Sequence, residues 1–157
     1  MKKLVNKSLM TSNAHTTKRK ILIMGLPGSG KKSLAKLLVP MFNAVWLDGE
    51  EVRKEANDFD YSEMGRSIQT HRMKRLADEA IKDNRNVIAD FVCPTEHTRE
   101  DFNADYIIWM DTIKESKFED TNKMFEQPKN FDFKVTHKEA TMWAYLIKQD
   151  ILEKFND

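Results

Sequence analysis

The chain has 157 residues, enough for one compact domain, and its 26 basic and 25 acidic residues leave a formal charge of +1. This near-balance argues against binding to nucleic acid or to a membrane by bulk charge, although a local basic patch stays open. A single cysteine and the lack of an apolar run of about 18 residues, the length of a membrane span, predict a cytoplasmic, soluble protein.

Apolar runs along the chain predict a sheet. The first 18 residues are polar and aperiodic, so we predict a flexible lead-in at 1–18 and a single domain at 19–157. Short apolar segments predict five strands, at 20–24, 45–47, 86–92, 106–110 and 131–136.

Helical spacing of apolar residues predicts the intervening helices. One covers 31–39, a long one begins after Ser62 as N-cap and buries Met64 and Ile68, a short one begins at Thr95, and the last begins at about His137. Strands that alternate with helices predict a parallel α/β sheet with helices on both faces. Chemistry in such sheets gathers at the carboxyl ends of the strands.

The segment after the first strand carries the clearest motif. Seven residues match the start of the phosphate-loop pattern G-x-x-x-x-G-K-[ST]: Gly25, Leu26, Pro27, Gly28, Ser29, Gly30 and Lys31. Backbone amides of such a loop, together with the helix N-terminus that follows, bind polyphosphate, and the lysine reaches the β- and γ-phosphates. We therefore predict an ATP site at residues 25–33, with Lys31 as a catalytic residue.

The eighth position of the loop departs from the pattern. A Ser or Thr hydroxyl there helps to hold Mg²⁺, but this chain has Lys32, and Ser33 lies about 100° further around the helix. An ammonium repels Mg²⁺ and attracts phosphate. The sequence therefore predicts ATP binding with a weak dependence on Mg²⁺ and slow turnover.

Several segments between about 21 and 136 together resemble the adenylylsulfate kinase family. Gly25–Ala35 (GLPGSGKKSLA) resembles its phosphate loop, and 47–53 (LDGEEVR) is similar to its L-D-G-D-x-x-R segment, with Glu50 in place of the second Asp. YSEMGR at 61–66, FVCP at 91–94 and MDT at 110–112 resemble G-F-S-E-A-D-R, F-I-S-P and V-D-T-P.

The resemblance implies a P-loop kinase with a three-layer sandwich and a five-stranded parallel sheet. Such a kinase would use ATP and Mg²⁺ to phosphorylate the 3′-hydroxyl of a small nucleotide, adenosine 5′-phosphosulfate. Asp48 would accept the proton of the substrate hydroxyl or orient Mg²⁺, with Asp90 as a second tentative metal residue. The implied substrate-binding residues are Arg53, Tyr61, Arg66, Gln69, Phe91, Cys93, Pro94 and Phe118. Of these, the arginines would hold the phosphosulfate, and Phe91 would pack on the adenine with Phe118 opposite.

Departures from the family keep alternatives open. Gln69 and Cys93 replace the family's Asn and Ser, and the basic lid stretch that precedes Phe118 in the family is missing. The chain could therefore act on another nucleotide or polynucleotide hydroxyl, or be a catalytically weak nucleotide-binding module. Asp48 could instead cap a helix, Asp90 could be a polar strand end, and Cys93 is expected to be a buried small residue. The family also leaves a homodimer open.

Overall fold

The computed structural model describes residues 17–156, so the predicted lead-in lies outside the described residues except for positions 17 and 18. Within this range the five strands are β1 Lys20–Met24, β2 Val45–Asp48, β3 Val87–Asp90, β4 Tyr106–Met110 and β5 Phe133–Val135. The six helices are α1 Lys31–Met41, α2 Gly49–Ala56, α3 Glu63–Lys82, α4 Glu96–Phe102, α5 Glu119–Met124 and α6 Ala140–Lys154.

The strands form one sheet in the order β2-β3-β1-β4-β5, and every neighbouring pair is parallel. All carboxyl ends therefore lie along one edge, where the register places Asp48 of β2 directly beside Asp90 of β3. The predicted fold class is confirmed. None of the helices in residues 17–156 combines the length and the apolar character needed to cross a bilayer.

Helices cover both faces of the sheet because successive residues of a buried strand point to opposite sides. Ile21 and Ile23 of β1 pack with α1 and α6 on one face. Leu22 and Met24 pack with α3 and α4 on the other. These two apolar layers hold the strand ends in place, so the residues that follow β1, β2 and β3 lie along one edge of a packed sheet.

The prediction for the buried face of α3 was partly wrong. Ser62 caps this helix as predicted, since its side chain accepts a hydrogen bond from the Gly65 amide. Met64 and Ile68, however, are 73% and 47% exposed. The amino-terminal half of α3 buries Arg66 and Gln69 instead, because it lies over the polar edge of the sheet, and only its carboxyl half packs on the apolar core.

Three predicted boundaries also shift. The third strand ends at Asp90 instead of residue 92, because the chain then turns out of the sheet and Cys93 adopts a left-handed conformation with φ of 46°. The last helix begins at Ala140, after a loop at 136–139, and the fifth strand shortens to three residues. Helix α5 was not predicted, since its six residues are too few for an apolar period.

Candidate functional site

The phosphate loop lies between β1 and α1, as predicted. Gly28 and Gly30 have φ of 83° and 98°, which only glycine adopts without strain, and Gly30 is the N-cap of α1 with no side-chain cap. A Cβ at Gly25 would lie 2.8 Å from the Met110 carbonyl oxygen. The turn therefore directs the free amides of the first turn of α1 toward one concavity, which suits an anion.

A hydrogen bond between Thr112 and Ser29 connects this loop to the end of β4, the neighbour of β1 in the sheet. The Thr112 hydroxyl, just beyond β4, donates a hydrogen bond of 2.6 Å to the Ser29 carbonyl. The Ser29 hydroxyl is fully buried and has no hydrogen-bond partner among the described residues. A buried hydroxyl without a partner is costly, so this position of the loop stands out. No local pattern in the chain singles out Thr112 as a support of the loop, because the contact joins segments 83 positions apart.

The Lys31 ammonium folds over the loop and donates a hydrogen bond of 2.9 Å to the Leu26 carbonyl oxygen. Burial lowers its pKa to about 8, although the nearby carboxylates of Asp90, Glu50 and Asp48 oppose that shift. A desolvated ammonium surrounded by free amides interacts strongly with phosphate, because little water screens the charge. Lys31 therefore lies where the motif predicts it.

The Lys32 side chain, in the first turn of α1, extends to the end of β2 and the start of α2. Its ammonium nitrogen lies 3.2 Å from Asp48 Oδ2 and 3.1 Å from Glu50 Oε2. Hydrogen bonds to these two carboxylates raise its pKa to about 12, so the ammonium stays charged at neutral pH. The departure at the eighth position of the motif is thus part of an ion-pair cluster.

Two carboxyl groups stand side by side at the strand ends. Asp48 caps α2, since its Oδ1 accepts a hydrogen bond from the Glu50 amide, and this contact does not decide whether the carboxylate also acts as a base. Asp90 accepts a hydrogen bond of 2.6 Å from Trp46 Nε1, and burial raises its pKa to about 7. At neutral pH the Asp90 carboxyl is therefore only partly ionised. The Asp48 carboxylate forms an ion pair with Lys32.

Asp90 gives a prediction for stability against pH. Its pKa rises from 3.8 to about 7 on folding, so its contribution to stability is complete below 3.8 and is lost as the pH rises through about 7. Asp90→Asn keeps an oxygen for Trp46 but cannot ionise. We expect the free energy of unfolding of the variant, relative to the unmodified chain, to increase across this pH window in urea titrations. Asp83→Asn, at an exposed position, is the control, and a pH-independent difference for Asp90→Asn would contradict the assignment.

The residues present do not fit the Mg²⁺ site expected of a phosphate loop. Mg²⁺ requires oxygen ligands in near-octahedral geometry, but position 32 has no hydroxyl and both oxygens of Asp48 are engaged by Lys32 and by the Glu50 amide. Asp90 Oδ2 accepts the hydrogen bond from Trp46 Nε1. Across residues 17–156, no group of three or more His, Cys, Asp or Glu side chains could hold a metal.

The two arginines that the resemblance implies for substrate binding are both buried. Arg53 donates to the carbonyl oxygens of Asp58 and Asp60, and Arg66 donates to the Thr121 hydroxyl. Both are buried, yet Arg53 Nη2 and Arg66 Nε have no hydrogen-bond partner among the described residues. Buried guanidinium donors without partners are expected where an anion binds.

The ring of Tyr61 joins these arginines. The guanidinium carbons of Arg53 and Arg66 lie 4.6 and 5.0 Å from its ring centroid, within the range of cation–π contacts. Gln69 is held at both ends of its amide, since it donates to the Gly49 carbonyl and accepts from Arg72. Its side chain therefore fixes the start of α2, directly after Asp48.

The two aromatic residues predicted to contact the adenine differ in exposure. Phe91 is 7% exposed and contacts Phe102 edge-on with ring centroids 5.4 Å apart, whereas Phe118 is 57% exposed. Cys93 and Pro94 are buried. The burial of Cys93 agrees with the small buried residue expected there, and burial raises the pKa of its thiol to about 12.

A cavity of about 220 Å³ opens beside the loop and was not predicted. Its lining includes Gly30, Ser33 and Leu34 of the loop and α1, together with His137 and Trp143 near the start of α6. The two rings are in edge contact at 5.1 Å, and Trp143 Nε1 donates to the His137 carbonyl. The helical pattern of apolar residues assigns Trp143 to the core. Its position soon after the last strand end was the sequence feature that could have indicated a residue near the loop. A larger groove of about 600 Å³ along α3 contains no loop residue.

Comparison with known proteins agrees with the geometry. The model of the family described as adenylylsulphate kinase matches residues 17–107, and a search of curated proteins gave no match. The APS kinase of Mycobacterium tuberculosis, in complex with AMPPNP and APS, is 19% identical with a TM-score of 0.71, over 87% of this chain and 98% of that chain.

Other kinases share the fold. The shikimate kinase of Acinetobacter baumannii is 18% identical with a TM-score of 0.60, over 91% of this chain and 98% of that chain. A hexameric APS kinase from Thiobacillus denitrificans is 19% identical with a TM-score of 0.71, over 90% of this chain and 30% of that chain. At these identities the structures establish only the fold, that of P-loop kinases. Because the family model covers more than half of the chain, the protein belongs to the adenylylsulphate kinase family.

Proposed function

We propose that the protein transfers the γ-phosphate of ATP to the 3′-hydroxyl of adenosine 5′-phosphosulfate. The observation that carries this proposal is the pair of buried arginines, Arg53 and Arg66, which pack on the Tyr61 ring and each keep one guanidinium nitrogen without a hydrogen-bond partner among the described residues. A doubly anionic tail joined to an aromatic base suits such a surface, because arginine forks bind anions and aromatic rings pack on bases.

In the proposed reaction the acceptor oxygen attacks the γ-phosphorus, the bond to the β–γ bridging oxygen breaks, and ADP leaves. Asp48 would accept the hydroxyl proton, and Lys31 with the loop amides would stabilise charge on the phosphoryl oxygens. The cavity beside Trp143 is where we place the ATP base, because it adjoins Gly30 and Ser33 of the loop.

The remaining site residues keep their predicted roles as part of the proposal. Arg53 and Arg66 would bind phosphosulfate, Phe91 and Phe118 would contact the acceptor base, and Tyr61, Gln69, Cys93 and Pro94 would shape that pocket. Mg²⁺ accompanies ATP in solution, and we assign it no protein ligand. A cytoplasmic location and a homodimer remain predictions from the sequence.

Two alternatives have their own support. The family match ends at residue 107, before the segment that carries Phe118, which leaves room for another acceptor hydroxyl. The ion pair between Lys32 and Asp48 engages the proposed base, which favours a catalytically weak nucleotide-binding module.

One panel of assays separates these functions. ADP release is followed with adenosine phosphosulfate, nucleosides and 5′-hydroxyl oligonucleotides as acceptors, and a Lys31→Ala preparation serves as the control for contaminating kinases. We expect phosphorylation of adenosine phosphosulfate above that background. Turnover only with another acceptor would overturn the assigned substrate, and ATP binding without turnover on any acceptor would favour the binding module.

A further inference from the structure

Two departures from the family pattern meet in space. Lys32 replaces the hydroxyl residue that ends the phosphate-loop motif, and Glu50 replaces the second Asp of the L-D-G-D segment. They are 18 positions apart in the chain, yet Lys32 Nζ donates a hydrogen bond of 3.1 Å to Glu50 Oε2. Glutamate is longer than aspartate by one methylene group. The longer side chain lets position 50 take part in an ion pair with position 32.

Asp48 completes the cluster and fixes its position. Its Oδ2 lies 3.2 Å from the same ammonium, and its Oδ1 caps α2. The ammonium is thus held between the first turn of α1, where phosphate is expected, and the carboxylates at the end of β2. With a serine at position 32 the two carboxylates beside the loop would carry a formal charge of −2, whereas Lys32 brings the formal sum over the three groups to −1.

We propose that Lys32 is a built-in cation of the phosphate loop, which offsets the Asp48 and Glu50 charges so that nucleotide phosphates bind without a metal ion. This inference rests on the proposed function only in requiring that the loop binds ATP. The Lys32 side chain is 50% exposed, so the ion pair with the carboxylates does not bury it. Because the Lys32 ammonium belongs to the chain, phosphate binding would not require a hydrated metal ion to become ordered in the site.

Calorimetric titration of ATP into the full chain tests the proposal, in buffer with a chelator and in buffer with Mg²⁺ at matched ionic strength, since screening alters such contacts. We expect the unmodified chain to bind ATP in the chelator within about threefold of its affinity in Mg²⁺, a difference below one charge-assisted hydrogen bond. The ATP affinity of Lys32→Ser should be lower than that of the unmodified chain by about tenfold or more in the chelator, and by much less in Mg²⁺.

A second variant and a control sharpen the result. The double variant Lys32→Ser/Glu50→Asp restores the family residues at both positions and should bind ATP more tightly in Mg²⁺ than in the chelator. Lys36→Ser removes an exposed lysine one turn further along α1 and should behave as the unmodified chain.

The outcomes are distinguishable. ATP binding by the unmodified chain that requires Mg²⁺ would overturn this inference and leave the loop as the ATP site. Unchanged affinity of Lys32→Ser in the chelator would also overturn it. Failure of the unmodified chain to bind ATP in either buffer, matching Lys31→Ala, would overturn the proposed function and this inference with it.

Discussion

Replacing Lys31 by alanine is expected to abolish phosphoryl transfer and to weaken ATP binding by about 10- to 100-fold, the equivalent of one or two hydrogen bonds to a charged group. The ammonium is desolvated inside the loop, where its interaction with phosphate is least screened by water. Calorimetric titration of ATP and an ADP-release assay would measure the two losses separately.

The fold should survive this change. Burial disfavours the charged form of Lys31, as its lowered pKa shows, so alanine removes a group that the interior does not stabilise. The single lost hydrogen bond is the one to the Leu26 carbonyl. Thermal unfolding would check this, with Lys36→Ala on the exposed side of α1 as the matched control. Unchanged ATP affinity and turnover in Lys31→Ala would remove the loop from the mechanism.

The parts of the site that sequence predicts are those carried by local pattern. The phosphate loop is contiguous, and its glycines need conformations that glycine alone adopts easily, so Gly28 and Gly30 are informative from the sequence alone. The strand ends follow from short apolar runs, and their meeting at one edge follows from a parallel sheet. Asp48 and Asp90 could be placed together on that basis, and the register confirms it.

The parts that sequence did not predict depend on contacts between distant segments. Arg66 and Gln69 are buried because Thr121 and Gly49 lie opposite them, and a helical pattern that counts apolar residues assigns such polar positions to the surface. The same pattern wrongly assigned the exposed residues Met64 and Ile68 to the buried face of α3, because it places every apolar position in the core. The pairing of Lys32 with Glu50 could not be predicted from local sequence either, because the two residues are 18 positions apart. In the sequence alone, Lys32 and Glu50 are two unrelated departures from the family pattern.

Asp48→Asn is expected to reduce turnover by about 10²-fold or more, the effect of removing a general base, while ATP affinity in Mg²⁺ is not weakened, because the change removes a negative charge near the loop. Asparagine is as good an N-cap as aspartate, so α2 should still begin at Gly49 and the free energy of unfolding should change little. The separation of kcat from the ATP affinity distinguishes a base from a capping residue, since loss of a cap alone would act on stability.

The ion pair with Lys32 makes a matched acidic control necessary, because Asp48→Asn also releases an ammonium beside the loop. Glu51 lies in the same first turn of α2 and its carboxylate is exposed and paired with Lys54, so Glu51→Gln removes a nearby charge without touching the cluster. We expect that variant to keep its turnover. Near-normal turnover in Asp48→Asn would assign the carboxylate to helix capping and to the Lys32 pair alone. A large loss confined to kcat would place it at the acceptor hydroxyl, since neither capping nor charge balance acts on the chemical step while sparing the affinity for ATP.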